Sequence, residues 1–482
     1  MRSRVFSRRC YAQLNARMRY AISPMRRLRL VFLQLVWIGA TLSGCAALPD
    51  VRDLRTSLYP GDIPTIEGSQ GRLSEKRAGS LFSQRLENIK PDLQTLAALE
   101  EAATRSPLIK GNKVTLLFDG PRTMAAMMAA IAGAKSHINL ETYIFDQDDL
   151  GMQFADLLIA RQRAGVQVNI IYDSVGTLGT PPEFFEKLRA AGIGLTEFNP
   201  VNPLKRFGSW RVNNRDHRKI LVIDGRIGFS GGINIADDYS RSSLFRSRKK
   251  SHSDPGWRDT HVQIEGPAVA ALQYLFLDAW HSQNMRKLPD RDFFPQLTEV
   301  GDKIVRVVAS KPDSDFEIYK AYVLAIQEAR KTIHLTAAYF VPDAQIIESL
   351  IQAARRGVSV KLVVPGVSDV GLVMYAGRST YDELLEAGVK IYQFQTSVLH
   401  AKTAVIDGVW STVGSANIDV RSFLHNHEIN IVVLGAEFGN RMEAAFQEDI
   451  KNSIEITLDA WRTRPFLERI KEWAARSMEY WL

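Results

Sequence analysis

The second half of this chain repeats its first. AIAGAKSHINLETYIFDQD at 130–148 returns as AIQEARKTIHLTAAYFVPD at 325–343, RQRAGVQVNIIYD at 161–173 as AARRGVSVKLVVPG at 353–366, and EKLRAAGIGL at 186–195 as DELLEAGVKI at 382–391. Offsets of 192 to 196 residues lie far beyond the roughly 20–50 residues of a solenoid repeat and indicate a duplicated domain. Within each copy, apolar strand-like runs such as VTLLFDG and VQVNIIYDS alternate with helical stretches such as TMAAMMAAIAGA and GMQFADLLIARQRAG, the alternation of an α/β layer architecture. A length of 482 residues holds two such lobes. The expected organisation is therefore a targeting segment at 1–44, a spacer with a leading helix at 45–110 (suggested by Leu86, Ile89, Leu93, Leu96 and Leu99), lobes at 111–300 and 301–460, and a tail at 461–482.

The repeat also carries polar residues. His217-Arg218-Lys219 leads an apolar run that ends in Asp224-Gly225, and six residues beyond that aspartate stand Gly231-Gly232-Ile233-Asn234. His400-Ala401-Lys402, Asp407-Gly408 and Gly414-Ser415-Ala416-Asn417 follow with the same spacing. In a strand, residues two apart share a face, so His217 projects with Lys219, and His400 with Lys402, while Arg218 points away. A glycine-containing turn ending in Asn lets backbone amides and a side-chain amide approach an anion, which makes Gly232, Ser415, Asn234 and Asn417 candidates for holding phosphate. Each lobe offers half of a cradle. If the halves converge, one neutral imidazole can attack phosphorus, the other can protonate the leaving oxygen, and two ammonium groups can neutralise the phosphoryl oxygens.

That chemistry needs neither metal nor cofactor. His425 and His427 beside Glu428 have no further ligands at zinc-like spacing and are expected to be polar packing. Asp259 in WRDTHVQIEG and Glu428 in NHEINIVVLG each stand seven residues before a glycine. Either could accept a hydrogen bond from imidazole Nδ1–H and leave Nε2 free.

The duplicated pattern resembles the phospholipase D superfamily, and the flanks TYIFDQDDLG, WRDTHVQIEGPAV, YFVPD and GSANIDVRSFLHNHEINIVV are most similar to bacterial cardiolipin synthases over roughly residues 111–450. The resemblance implies two phospholipase D-like lobes, each a mixed sheet flanked by helices, packed with pseudo-two-fold symmetry around one active site. It implies a ping-pong phosphatidyl transfer through a phosphohistidine, with His217 as nucleophile and His400 as acid and base, Asp259 and Glu428 orienting the histidines, and glycerophospholipids as substrates. Asp224 and Asp407 belong to the catalytic motif, though in such proteins they are more often structural. With both motifs on one chain, no obligate oligomer is implied. The same first step resolved by water would make the chain a hydrolase releasing phosphatidate. A nuclease of the superfamily and a non-catalytic lipoprotein scaffold are further readings.

Charge argues against the nuclease. Nine arginines precede residue 30 and the first acid is Asp50, so the chain from Cys45 onward carries 52 basic against 53 acidic side chains; such a balance exerts little pull on a polyanion. The arginines instead form the front of a targeting segment with an apolar run from Leu30 to about Leu42 and a Leu42-Ser43-Gly44-Cys45 ending, which resembles a bacterial lipoprotein signal with Cys45 as the acylated residue. The run is shorter than the roughly 20 residues a bilayer requires. A lipid-anchored, periplasm-facing envelope protein is the expectation. Two further stretches suggest membrane contact. Arg246–Lys250 is either a solvated loop or a contact for anionic headgroups, and the tail PFLERIKEWAARSMEYWL either lies in a membrane interface or packs on the protein.

Overall fold

The computed structural model describes residues 47–58, 63–86, 92–205, 211, 213–239, 256–283, 287–312, 314–368 and 370–481. The segment expected to be a targeting signal, Cys45 and the Arg246–Lys250 run lie outside them.

Seven strands form the sheet of the first lobe: β1 Leu108–Leu117, β2 His137–Thr142, β3 Gln167–Asp173, β4 Gly194–Phe198, β5 Ile220–Ile223, β6 Ile227–Gly231 and β7 His261–Glu265. Seven counterparts form that of the second: β8 Lys303–Ser310, β9 Thr332–Ala337, β10 Ser359–Pro365, β11 Lys390–Phe394, β12 Lys402–Ile406, β13 Trp410–Gly414 and β14 Asn426–Leu434. The first sheet runs β1-β7-β6-β5-β2-β3-β4, and the second runs β8-β14-β13-β12-β9-β10-β11. Strand order and direction are identical, as a duplicated domain requires. Antiparallel pairing of β1 with β8, Asn112 opposite Lys303 and Ile109 opposite Val305, joins the lobes into one mixed sheet. The fold is thus α/β with helices flanking the sheet.

Local sequence accounts for much of the repetition. Asp148 caps the helix Asp149–Arg163 by accepting from the Gly151 amide, and Asp343 caps Ala344–Arg355 from the Gln345 and Ile346 amides, each satisfying orphan donors of a first helical turn. Strands β2 and β3 are buried at every residue, as parallel strands covered on both faces are. Val114, Ile220 and Val262 of the first lobe pack in one apolar cluster with Val305, Val405 and Ile431 of the second. Burial on that scale, roughly 1.5–3 kcal/mol for each such side chain, holds the lobes together.

The region expected to be a spacer is built into the fold. Ile66 pairs in parallel with Leu108, and the buried Glu100 carboxylate accepts from Arg306 Nη1 at 2.5 Å and Trp410 Nε1 at 2.7 Å. Two helices, Glu75–Leu86 and Asp92–Thr104, stand where leucine spacing suggested one; Pro91 between them has no N–H for a continuous helix. Among the described residues no helix is long and apolar enough to cross a membrane.

Candidate active site

Two cross-lobe contacts build the site. Arg215–Asp216 runs parallel to Asn426–His427, and the His217 amide donates to the His427 carbonyl at 3.0 Å. In the pseudo-symmetric contact Arg258 bridges to Leu399, and the His400 amide donates to the Arg258 carbonyl at 2.7 Å. Each motif histidine is therefore threaded against the residue just ahead of the other lobe's acid.

The acids pair across the same seam. His217 Nδ1 lies 3.0 and 3.1 Å from the Glu428 oxygens, and His400 Nδ1 lies 2.7 Å from Asp259 Oδ2. Both carboxylates are fully buried. An acceptor at Nδ1 puts the proton there and leaves Nε2 of each ring for chemistry. Burial holds the His217 pKa below its ordinary value, Glu428 pulls it back up, and Lys219 and Lys402 push it down. A neutral imidazole, the form able to attack, is the result.

His217, Lys219 and His400 lie just ahead of the strands that follow them, Lys402 opens β12, and both lysines are buried. Each folds back, Lys219 Nζ donating to the His217 carbonyl at 2.6 Å and Lys402 Nζ to the His400 carbonyl at 2.5 Å. One of three N–H groups fixes the stem. Burial brings the Lys219 pKa down to about 7, with Glu428 opposing and Lys402 assisting. Burial likewise pushes Asp259 up to about 6, with the Lys402 ammonium holding it down.

Asp224 and Asp407, counted with the catalytic motif, are not brought to the imidazoles. Each turns at the far end of its hairpin with a φ near +50°, at 52° and 53°, followed by Gly225 and Gly408 in the same left-handed region, a sequence suited to a primed turn. Their carboxylates accept three backbone amides each, from Lys135, Ser136 and His137 and from Arg330, Lys331 and Thr332. They lock the hairpins to the loops ahead of β2 and β9.

The turn residues differ between lobes. Asn234 Nδ2 donates to the Tyr239 hydroxyl at 3.1 Å and its Oδ1 accepts from the Ile144 amide, whereas Asn417 Oδ1 is buried without a hydrogen-bond partner among the described residues. A Cβ on Gly232 would lie 2.2 Å from Asp259 Oδ1, so only glycine fits there. At the matching position Ser415 Oγ donates to Glu428 Oε2.

Aromatic side chains that sequence spacing did not single out complete the site. The Tyr239 hydroxyl is 3.2 Å from His400 Nδ1, the Trp257 ring is 5.3 Å from that imidazole, and Tyr143 stands edge-on to His217 at 5.0 Å with Lys219 Nζ over its face. Trp257 precedes Asp259 by two residues in WRDTH, and Tyr143 of TYIF has a near counterpart in Tyr339 of AYF, whose ring stands edge-on to His400 at 6.5 Å, both visible signals; Tyr239 has no counterpart in the repeat and left none. Arg218 does point away, into a buried ion pair with Glu141 and Asp216. Arg258 clasps Asp449 of the second lobe through two nitrogens, at 2.7 and 2.9 Å. His425 and His427 pack against Tyr480 and Phe198. Among the described residues no three His, Cys, Asp or Glu side chains are grouped to hold a metal.

The arrangement resembles known proteins at two levels. A family model described as cardiolipin synthase, PLD-like domain, matches residues 127–244 and 322–450, one segment around each motif histidine. The cardiolipin synthase of Geobacillus kaustophilus is 36% identical over 389 residues, 80% of this chain and 76% of that protein. That of Listeria innocua is 37% identical over 373 residues, 77% of this chain and 75% of its own length. The crystal structure of phosphatidylserine synthase from Haemophilus influenzae aligns with a TM-score of 0.56 at 12% identity, covering 77% of this chain and 95% of that one, and supports the fold.

Proposed function

The chain belongs to the cardiolipin synthase family of phospholipase D-like proteins and is a phospholipase D-type phosphatidyltransferase, and we propose that it makes cardiolipin at a membrane surface. The observation that carries this reading is the crossed pair of buried carboxylates, each presenting the other lobe's imidazole with Nε2 free. Neutral His217 Nε2 attacks the phosphorus of a glycerophospholipid such as phosphatidylglycerol. As the P–N bond forms, the P–O bond to the departing alcohol breaks and protonated His400 gives that oxygen its proton. Neutral His400 then takes the proton from the hydroxyl of a second lipid, whose oxygen displaces the histidine. Glu428 and Asp259 stabilise each imidazolium as it forms, and Lys219 and Lys402 face the charge on the phosphoryl oxygens. The buried setting favours an alcohol over water as acceptor by limiting solvent at the intermediate.

Purified protein in mixed phosphatidylglycerol and phosphatidylethanolamine liposomes is expected to produce cardiolipin detectable by mass spectrometry. His217→Ala and His400→Ala should each lose at least about 10³-fold of that rate. Phosphatidate as the sole product would favour hydrolysis, and cardiolipin formed undiminished by both variants would remove these histidines from the reaction.

A further inference from the structure

The C-terminal helix Phe466–Arg476 is seated the wrong way round for a surface helix. Its inward stripe is polar and small: Glu472 and Ala475 are buried, and Glu472 accepts from Arg378 Nε and Arg464 Nε, both at 3.0 Å. Its outward stripe is apolar, with Phe466 72%, Leu467 69%, Ile470 44% and Trp473 75% exposed. An amphipathic helix ordinarily buries its apolar face. Here ion pairs to Arg378 and Arg464, together with packing on the helix Gly371–Arg378, hold that face outward. Met478 and Trp481 beyond the helix are exposed too, as are Val370 and Leu372 on and just before the neighbouring helix.

We propose that this stripe is a docking surface for the interface of a phospholipid bilayer. Charge and area both favour a lipid surface. Exposed Arg469 stands within the stripe with no ion pair among the described residues, and Trp473 and Trp481 are the side chains that prefer the headgroup level. The four outward side chains of the helix expose on the order of 500 Å², short of the roughly 800 Å² each partner contributes to a stable protein dimer, whereas a bilayer accepts a single helical stripe. The stripe is also tied to the site. Tyr480 packs edge-on against His425 at 5.3 Å, and His425 ends the short helix Val420–Leu424 that follows Asn417. Docking would therefore set the second motif at a fixed attitude to the membrane. A lipid surface as the partner rests on the phosphatidyl-transfer reading above, while the exposed stripe itself does not.

The test uses the full chain, its N-terminal apolar segment included, with a readout local to the tail. Vesicles of phosphatidylglycerol and phosphatidylethanolamine with brominated acyl chains should quench tryptophan emission, and W473F should remove roughly a third or more of the quenching if this ring enters the interface. The triple variant F466E/I470E/W473E should lose about tenfold or more of vesicle-borne turnover while keeping turnover of a dihexanoyl phosphatidylglycerol dissolved below its micelle concentration within about twofold. Identical quenching by wild type and W473F, with vesicle turnover unchanged in the triple variant, would overturn the assignment. So would a dimer in vesicle-free solution that the triple variant dissociates, since a second copy would then cover the stripe. Failure of wild type to turn over either lipid form would defeat the function reading, and the quenching arm would still decide the surface.

Discussion

The two halves of the site do the same job with different parts. His217 is held by the longer acid Glu428, which also accepts from Ser415 Oγ and from Asn426 Nδ2 at 3.2 Å. His400 is held by the shorter Asp259, which accepts from the Thr260 amide at 2.7 Å and occupies the space a side chain at 232 would need. Acid length and turn residue are matched within each half: glycine with aspartate, serine with glutamate. Gly232 and Ser415 are thus two solutions to one packing problem, and the departure of GGIN from GSAN follows from the acid it faces. Burial also pushes Asp259 up to about 6. A site built from duplicated lobes can therefore give its two imidazoles separate roles.

Neutralising the acids has the largest expected effect. Asp259→Asn and Glu428→Gln keep size but remove the charge that stabilises an imidazolium and selects its tautomer, and each is expected to cost roughly 10²–10⁴-fold in kcat. The wild-type pH profile separates them. Asp259 must be ionised to hold His400, so kcat/KM should fall as pH drops through about 6, and Asp259→Asn should abolish that limb while Glu428→Gln retains it. On the proposed route Lys219 meets the phosphate protonated, so kcat/KM should also fall as pH rises through about 7. Lys219→Arg should move that alkaline limb upward, because a guanidinium stays charged; an alkaline limb unmoved by this change would assign it to another group.

Substitutions at the two turn residues have smaller effects. Gly232→Ser brings a Cβ within 2.2 Å of Asp259 Oδ1, so the carboxylate must shift; a stability loss of about 1–3 kcal/mol in denaturant melts is expected from such overpacking, with reduced activity. The reverse exchange, Ser415→Gly, deletes the Oγ hydrogen bond to Glu428 and the one accepted from the Ile429 amide; it should cost about 1 kcal/mol for each while leaving the Glu428 carboxylate in place. Activity lost to the same extent in the two variants would show that the matching of turn residue to acid is incidental.

Much of this was legible because the duplication was. The repeat predicts two like lobes, and the shared spacing of His217, Lys219 and Asn234 with His400, Lys402 and Asn417 pairs the motif residues from sequence alone. The acids Asp259 and Glu428 were visible as candidates, but each follows its own lobe's motif in the chain. That each serves the opposite histidine depends on where the β1–β8 junction and the His217–His427 and His400–Arg258 backbone contacts set the lobes. Tyr239 has no partner in the repeat, where Ser422 stands at the matching position, so periodicity could not flag it. The tail shows the same limit. Spacing of Phe466, Ile470 and Trp473 marks an amphipathic helix, yet which face packs is decided by Glu472 meeting Arg378, a residue 94 positions away.

The central claim is that one phosphate passes over two histidines in unequal roles, and it is tested most directly by locating the covalent intermediate. Wild-type protein quenched in alkali within a single turnover of phosphatidylglycerol, then digested and mapped by mass spectrometry, should carry the phosphatidyl adduct on His217 and none on His400. Adduct distributed equally over both histidines, or full turnover with adduct on neither, would contradict the account.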